Sequence, residues 1–121
     1  MSDAIITRHG SGYVTITFDN YKVYLDTINR STPTALSAAR GYLAGASVGD
    51  YALFAGGWTG SASAVVDAYS TELTRTTPTA LSTARRDLAG ASVGDYALFA
   101  GGWTGSYSSV VDAYTTNLTR T

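Results

Sequence analysis

The chain has 121 residues, no cysteine and a formal net charge of −1, and 14% of its residues are charged. The lack of cysteine excludes disulfides and thiolate metal sites, and the near-neutral charge offers no footprint for nucleic acid or an anionic membrane. No apolar run reaches the length of a membrane span, and the N-terminus does not fit a signal peptide. We therefore expect a soluble protein without a signal peptide, whose location stays open between a virion and the cytoplasm.

Residues 1–31 predict an N-terminal extension built on a β-hairpin. Residues 13–18 alternate aromatic or β-branched side chains with threonine, and residues 21–25 continue as a second strand after a turn signal. The second arm is in register with a later strand of the chain at an offset of 45 residues. The extension is thus either a degenerate partial repeat or a separate cap or anchor.

The remainder of the chain is a tandem repeat, and residues 32–76 align without a gap with residues 77–121. The seven pairs that differ are Ala38/Thr83, Gly41/Arg86, Tyr42/Asp87, Ala62/Tyr107, Ala64/Ser109, Ser70/Thr115 and Glu72/Asn117. A fixed period of this length predicts a propeller, solenoid or array whose units bury apolar faces only against one another. Two units are too few to close, so we expect other copies of the chain to complete the structure.

Each repeat predicts four short strands and no helix. In the second repeat, residues 88–93 and 96–100 flank a Gly-Asp pair, which is the pattern of a tight β-hairpin. Residues 110–114 predict a third strand, and residues 76–81, with their proline and threonines, predict an outer fourth strand. Because these strands are apolar on both faces, we expect sheets that neighbouring sheets cover on both sides.

Three features recur in order in both repeats: an arginine before the first strand (Arg40, Arg85), a strand ending in Phe-Ala-Gly-Gly, and a Val-Asp-Ala-Tyr strand. This order resembles the Kelch repeat, and the resemblance covers residues 32–121. It implies an all-β fold of four-stranded antiparallel β-propeller blades. The tryptophan that Kelch repeats carry after the tyrosine strand is absent, and Trp58 and Trp103 directly follow the glycine doublets instead. Similar arrays occur in segments of bacterial and prophage structural proteins.

The resemblance implies a ring completed by oligomerisation. Propellers have about four to eight blades, so a homotrimer of two-repeat chains is favoured, with a homotetramer as the alternative. We expect a head-to-tail joint in which the start of one chain supplies the outer strand that the last repeat of its neighbour lacks. The residues expected at this interface are Thr32, Pro33, Thr34, Ala35, Leu36, Val110, Val111 and Tyr114.

The loops on one face of such a ring carry both tryptophans and five of the seven differences. Aromatic planes beside polar side chains suit the recognition of sugars or peptides. The candidate ligand-binding residues are Trp58, Trp103, Tyr42, Tyr107, Arg86 and Asp87. The alternative is that loops tolerate change and the tryptophan rings cover sheet edges.

The charged residues inside the repeats are expected to be structural. Asp67 and its counterpart Asp112 should accept hydrogen bonds from neighbouring backbone amides, and the alternative is that they face a ligand. The two arginines that precede the first strands should pair with an acid such as Asp50 or Asp95, in the Gly-Asp turns.

Enzyme chemistry is poorly supported. The single histidine, His9, leaves no Ser-His-Asp set, and neither a transition-metal cluster nor a phosphate-binding loop is recognisable. We expect no catalytic residues, cofactor or metal. Two functions remain: a non-enzymatic structural or binding module that presents its loop face to a glycan or protein, and a purely architectural fragment or engineered self-assembling propeller.

Overall fold

The computed structural model describes residues 5–10, 13–18, 21–26 and 30–121, with side chains described for Gly10 and residues 30–121. The chain divides into two compact units, Met1–Thr32 and Pro33–Thr121. The elements of the described residues are all β-strands, which confirms the all-β class. Within those residues no helix is long and apolar enough to cross a membrane.

The first unit contains a three-stranded antiparallel sheet. Its strands are β1 (Ile5–His9), β2 (Tyr13–Phe18) and β3 (Tyr21–Asp26), in the order β1-β2-β3. Strands β2 and β3 form the predicted hairpin, whereas β1 was not predicted. Its five residues contain only two apolar ones, side by side, so they show no alternation from which a strand could be inferred.

The second unit contains one antiparallel sheet for each repeat. In repeat 1 (residues 32–76) the strands are β4 (Ala44–Val48), β5 (Tyr51–Ala55), β6 (Val66–Tyr69) and β7 (Arg75–Thr76), in that order. In repeat 2 (residues 77–121) they are β8 (Ala89–Val93), β9 (Tyr96–Ala100) and β10 (Val111–Tyr114). The predicted hairpin and third strand of repeat 2 are confirmed to within one residue.

The outer strand lies earlier in the chain than expected. Residues 76–81 were predicted to form it, but β7 ends at Thr76. In repeat 2, Arg120 pairs with Tyr114, and Thr121 exchanges backbone hydrogen bonds with Ala113. Residues 120–121 of the same chain therefore occupy the outer position of the repeat 2 sheet. The expectation that this repeat lacks its outer strand is wrong.

Residues 77–82 do not continue the sheet of repeat 1, because side chains of repeat 2 form hydrogen bonds with them. The Leu81 amide donates to the carbonyl of Ala64 across the two repeats, at 2.8 Å. The Tyr114 hydroxyl donates to the Thr79 carbonyl at 2.7 Å, and the Arg120 guanidinium donates to the Ala80 carbonyl. Side chains of the second sheet thus bind this segment through its carbonyls, which an outer strand would have used in backbone pairing.

The two sheets of the second unit stack face to face, with β4 against β8 and β9. We call the side of each sheet that carries Phe54 (Phe99 in repeat 2) its front face, and the side that carries Leu53 (Leu98) its back face. The back face of repeat 1 packs on the front face of repeat 2. The buried side chains between them include Val48, Leu53, Ala55, Val66, Ala68, Ala97, Phe99 and Tyr114.

Two glycines set how closely the repeats approach. A Cβ on Gly90 would lie 2.4 Å from the carbonyl oxygen of Gly45 in the other sheet. A Cβ on Gly56, whose φ is 72°, would lie 2.6 Å from the carbonyl oxygen of Arg85. A real Cβ atom does not approach an oxygen so closely, so the backbones meet where side chains are absent.

Gly56→Ala should destabilise the chain by about 2 kcal/mol or more, because alanine disfavours positive φ and its methyl group meets the Arg85 carbonyl. Gly41→Ala is the matched control, since a Cβ there has no neighbour within 4 Å. Urea denaturation followed by tryptophan fluorescence measures both. Equal midpoints for the two variants would contradict the close approach at Gly56.

Candidate ligand-binding site

A buried ion pair fixes the loop that leads to the candidate site in repeat 2. Arg85 is fully buried and its Nη1 donates to Oδ2 of Asp112 at 2.9 Å, while Nη2 donates to the Phe99 carbonyl at 2.8 Å. The amide and hydroxyl of Ser82 donate to the same carboxylate oxygen at 3.1 and 3.0 Å. The loop, β9 and β10 are tied together, and Arg86 is held immediately next to this anchor.

The same arrangement occurs in repeat 1, where Nη1 of Arg40 donates to Oδ2 of Asp67 at 2.8 Å and Ser37 donates its amide and hydroxyl. The predicted hydrogen bond from a backbone amide to Asp67 is confirmed. The predicted pairing of the arginines with Asp50 or Asp95 is wrong. Asp50 and Asp95 occupy the hairpin turns. The arginine side chain reaches the other end of the hairpin.

Burial by itself would raise the pKa of both aspartates. For Asp67 the hydrogen bonds from Arg40 and Ser37, together with the positive charge of Arg40, outweigh burial, so its pKa lies below the usual value. The pKa of Asp112 is lowered in the same way by Ser82 and Arg85. Both carboxylates are therefore stabilised in their charged form.

Next to this anchor, Arg86 of repeat 2 lies against two aromatic rings of repeat 1. Its guanidinium carbon is 5.3 Å from the Trp58 ring centroid and 5.8 Å from that of Tyr42. Both distances are within the range of cation–π attraction. Its Nη1 also donates to Oδ2 of Asp87 at 2.7 Å. The structure thus brings four of the six predicted candidates into one cluster.

The other two candidates form a corner on repeat 2. The Trp103 and Tyr107 rings are 5.0 Å apart between centroids and stand at 80° to each other. They border a cavity of about 430 Å³, whose other lining residues are Arg86, Asp87 and Gly102. We call this feature the aromatic corner. Tyr107 is 92% exposed, so one wall of the corner faces solvent.

The predicted interface residues lie in four different settings. Pro33, Thr34 and Leu36 line a cavity of about 700 Å³ on the front face of repeat 1, and the Ala35 carbonyl beside them accepts a hydrogen bond from Arg75. Val110 and Val111 are exposed on repeat 2. Tyr114 is fully buried within its own chain and is not available to a neighbour, while Thr32 belongs to the first unit.

The site offers recognition chemistry in the form of aromatic planes, one guanidinium and one carboxylate. Among the residues that the structure describes, no group of three or more His, Cys, Asp and Glu side chains could hold a metal ion. Comparison of the sequence with protein-family models and with curated proteins gave no match.

The free energy of unfolding should be constant near neutral pH and fall as the pH decreases below about 4. The pKa of Asp67 and Asp112 is lower in the folded chain than the ordinary value of about 3.9. Their contribution is thus complete above the unfolded pKa and lost as pH falls through the folded pKa. Urea midpoints measured between pH 7 and pH 2 test this.

Asp112→Asn leaves Arg85 buried without its counter-charge, so it should cost about 3–5 kcal/mol at pH 7 and flatten the acid-induced loss. Asp95→Asn changes an exposed turn residue and serves as the control. An unchanged acid profile in Asp112→Asn would contradict the role of this carboxylate.

Proposed function

We propose that the protein is a non-enzymatic module that assembles head to tail into a closed β-propeller and presents its loops as a recognition face. One observation carries the assembly: identical residues are buried in one repeat and exposed in the other. Phe99 is 0% exposed and its counterpart Phe54 is 37% exposed. Conversely, Val66 is 0% exposed and its counterpart Val111 is 55% exposed.

These differences follow from which face of each sheet is covered. The back face of repeat 1 and the front face of repeat 2 pack on each other. The front face of repeat 1 and the back face of repeat 2 carry the same apolar strand residues, but no sheet of the second unit covers them. Since the covered pair is complementary, the uncovered pair has the same complementarity when a second copy of the chain supplies the partner.

Backbone hydrogen bonds extend this complementarity to the loops. Within the chain, the Gly57 amide donates to the Arg85 carbonyl at 2.9 Å, and the Arg85 amide donates to the Ser63 carbonyl at 3.1 Å. The equivalent groups at the uncovered ends are the Gly102 amide, the Arg40 carbonyl and amide, and the Ser108 carbonyl. A second copy placed by the same transformation therefore forms the same bonds.

Such an interface is heterologous, and it closes into a ring or grows into a filament according to its rotation. Closure removes the exposed sheet faces, and propellers of about four to eight blades are known. A trimer of two-repeat chains remains the favoured form and a tetramer the alternative. Pro33, Thr34 and Leu36 line the cavity on the front face of repeat 1, which Val111 of the neighbouring copy would enter.

Recognition is assigned to the loop face because its aromatic residues are partly open. Tyr42, Trp58 and Tyr107 are all exposed, and the cavity beside Trp103 has polar and aromatic walls. The alternative is a purely architectural ring without a ligand. One contact favours it, since Arg86 of the chain itself lies on Trp58 and Tyr42.

Gly45→Ala should permit folding and abolish assembly. In the single chain a Cβ at Gly45 meets only the Phe54 ring and the Leu53 carbonyl, at 3.5 Å or more. In the assembly this Cβ would lie against the Gly90 carbonyl of a neighbouring copy. The contact is the equivalent of the one that a Cβ on Gly90 would make with the Gly45 carbonyl within the chain. Light scattering with circular dichroism should show an oligomer for the unchanged chain and a folded monomer for the variant.

Gly90→Ala is the matched control, because the same clash then falls inside the chain and should lower its stability directly. A folded monomer of the unchanged chain across the micromolar range would contradict assembly. So would an oligomer that persists in Gly45→Ala, since the N-terminal unit or another surface would then have to form the contact.

A further inference from the structure

We propose that the aromatic corner, together with Asp87, binds a cationic side chain of a protein partner, namely the guanidinium of an arginine or the ammonium of a lysine. This inference deepens the proposed recognition function and rests on it. The lining residues all belong to one chain, so the site exists in the monomer as well as in a ring.

Arg86 of the chain itself makes, at the equivalent position in repeat 1, the contact that we propose for the ligand. Trp103 is the counterpart of Trp58, on which the Arg86 guanidinium lies at 5.3 Å. Arg86 reaches Trp58 from the following repeat. In a ring, the residue that faces Trp103 from the following chain is Gly41, which has no side chain. In a ring, Trp103 would therefore have no arginine from the following repeat, whereas Arg86, which also lines the corner, is paired with Asp87.

The substitutions around the corner favour a cation further. Asp87 replaces Tyr42, so a carboxylate stands where the first repeat has a second aromatic ring. Tyr107 replaces Ala62 and adds a ring at 80° to Trp103. Two aromatic rings and a carboxylate attract a cation through the ring quadrupoles and a charge-assisted hydrogen bond.

A glycan is the less favoured ligand because the guanidinium beside the corner is already directed to other groups of the chain. The Arg86 guanidinium already contacts Trp58, Tyr42 and the Asp87 carboxylate. Asp87 would be shared between Arg86 and the bound cation, as carboxylates commonly are between two guanidinium groups. An aromatic surface beside a carboxylate is what remains for a ligand.

The test uses N-acetyl-arginine amide as the probe and N-acetyl-citrulline amide as its uncharged counterpart. Methyl glucoside and methyl mannoside represent glycans. The indole N–H resonances of Trp58 and Trp103, assigned with Trp103→Phe, report on the two positions separately. The arginine probe should shift the Trp103 resonance and leave Trp58 unchanged, because the Arg86 guanidinium already lies against the Trp58 ring. The citrulline probe and the glycosides should shift neither.

Two variants test the chemistry directly. Asp87→Asn keeps the shape of the side chain and should weaken binding of the arginine probe about tenfold. Arg86→Ala uncovers Trp58 and Tyr42, so the arginine probe should then shift the Trp58 resonance too. An equal response to the citrulline probe, a Trp103 response to a glycoside, or no arginine response at Trp103 would each overturn the proposal.

Gly41→Arg separates this proposal from the assembly. In a ring, the new arginine would occupy the corner of the preceding copy and prevent binding of the probe, while a dissociated chain should still bind it. Probe binding by a chain that stays monomeric would support the cation site and count against the ring. An oligomer of the unchanged chain whose Trp103 ignores the arginine probe would support the ring and count against the cation site.

Discussion

The contact on which the repeats depend is the buried pair between an arginine before the first strand and the aspartate of the third. Each guanidinium also binds a backbone carbonyl at the end of the second strand, Phe54 or Phe99. A buried ion pair adds little stability relative to apolar packing, but removing one partner is costly. Its effect here is to specify geometry, because one side chain defines the relative positions of a loop and two strands.

The second general feature is that burial depends on context and not on residue type. The two repeats have nearly the same sequence, and the same first three strands form in both. Yet Val48 is 3% exposed and its counterpart Val93 is 59% exposed. Because local structure is the same, the difference isolates the contribution of a neighbouring sheet, as a matched pair of mutants would. Few single chains contain such an internal control.

The strands could largely be predicted because their signals are local. The Gly-Asp turns fix the hairpins, and apolar runs of about five residues fix their arms. The outer strand was misplaced because Thr-Pro-Thr reads equally well as an edge strand or as a connection. Only the positions of Tyr114 and Arg120, whose side chains bind residues 77–82, distinguish the two.

The candidate site was predicted in part, since the residues were recognised but their grouping was not. Tryptophans in the loops pointed to Trp58 and Trp103, and loop positions that differ between the repeats pointed to Tyr107 and Asp87. Arg86 of repeat 2 contacts Trp58 of repeat 1 because of the way in which the two sheets stack. No local sequence pattern encodes that stacking. The acid that pairs with each arginine was missed for the same reason, although the spacing of 27 residues recurs in both repeats.

The alternation of Gly41 and Arg86 has a consequence for valency. If every repeat carried an arginine at this position, each junction of a ring would cover its own tryptophan. With one arginine per chain, the proposed ring of identical chains would expose one aromatic corner per chain, all facing the same way and spaced evenly by symmetry. A partner with repeated cationic groups would then bind several corners at once. Its avidity would exceed the affinity of any single corner by about 10²–10⁴ when the spacing of its charges matches.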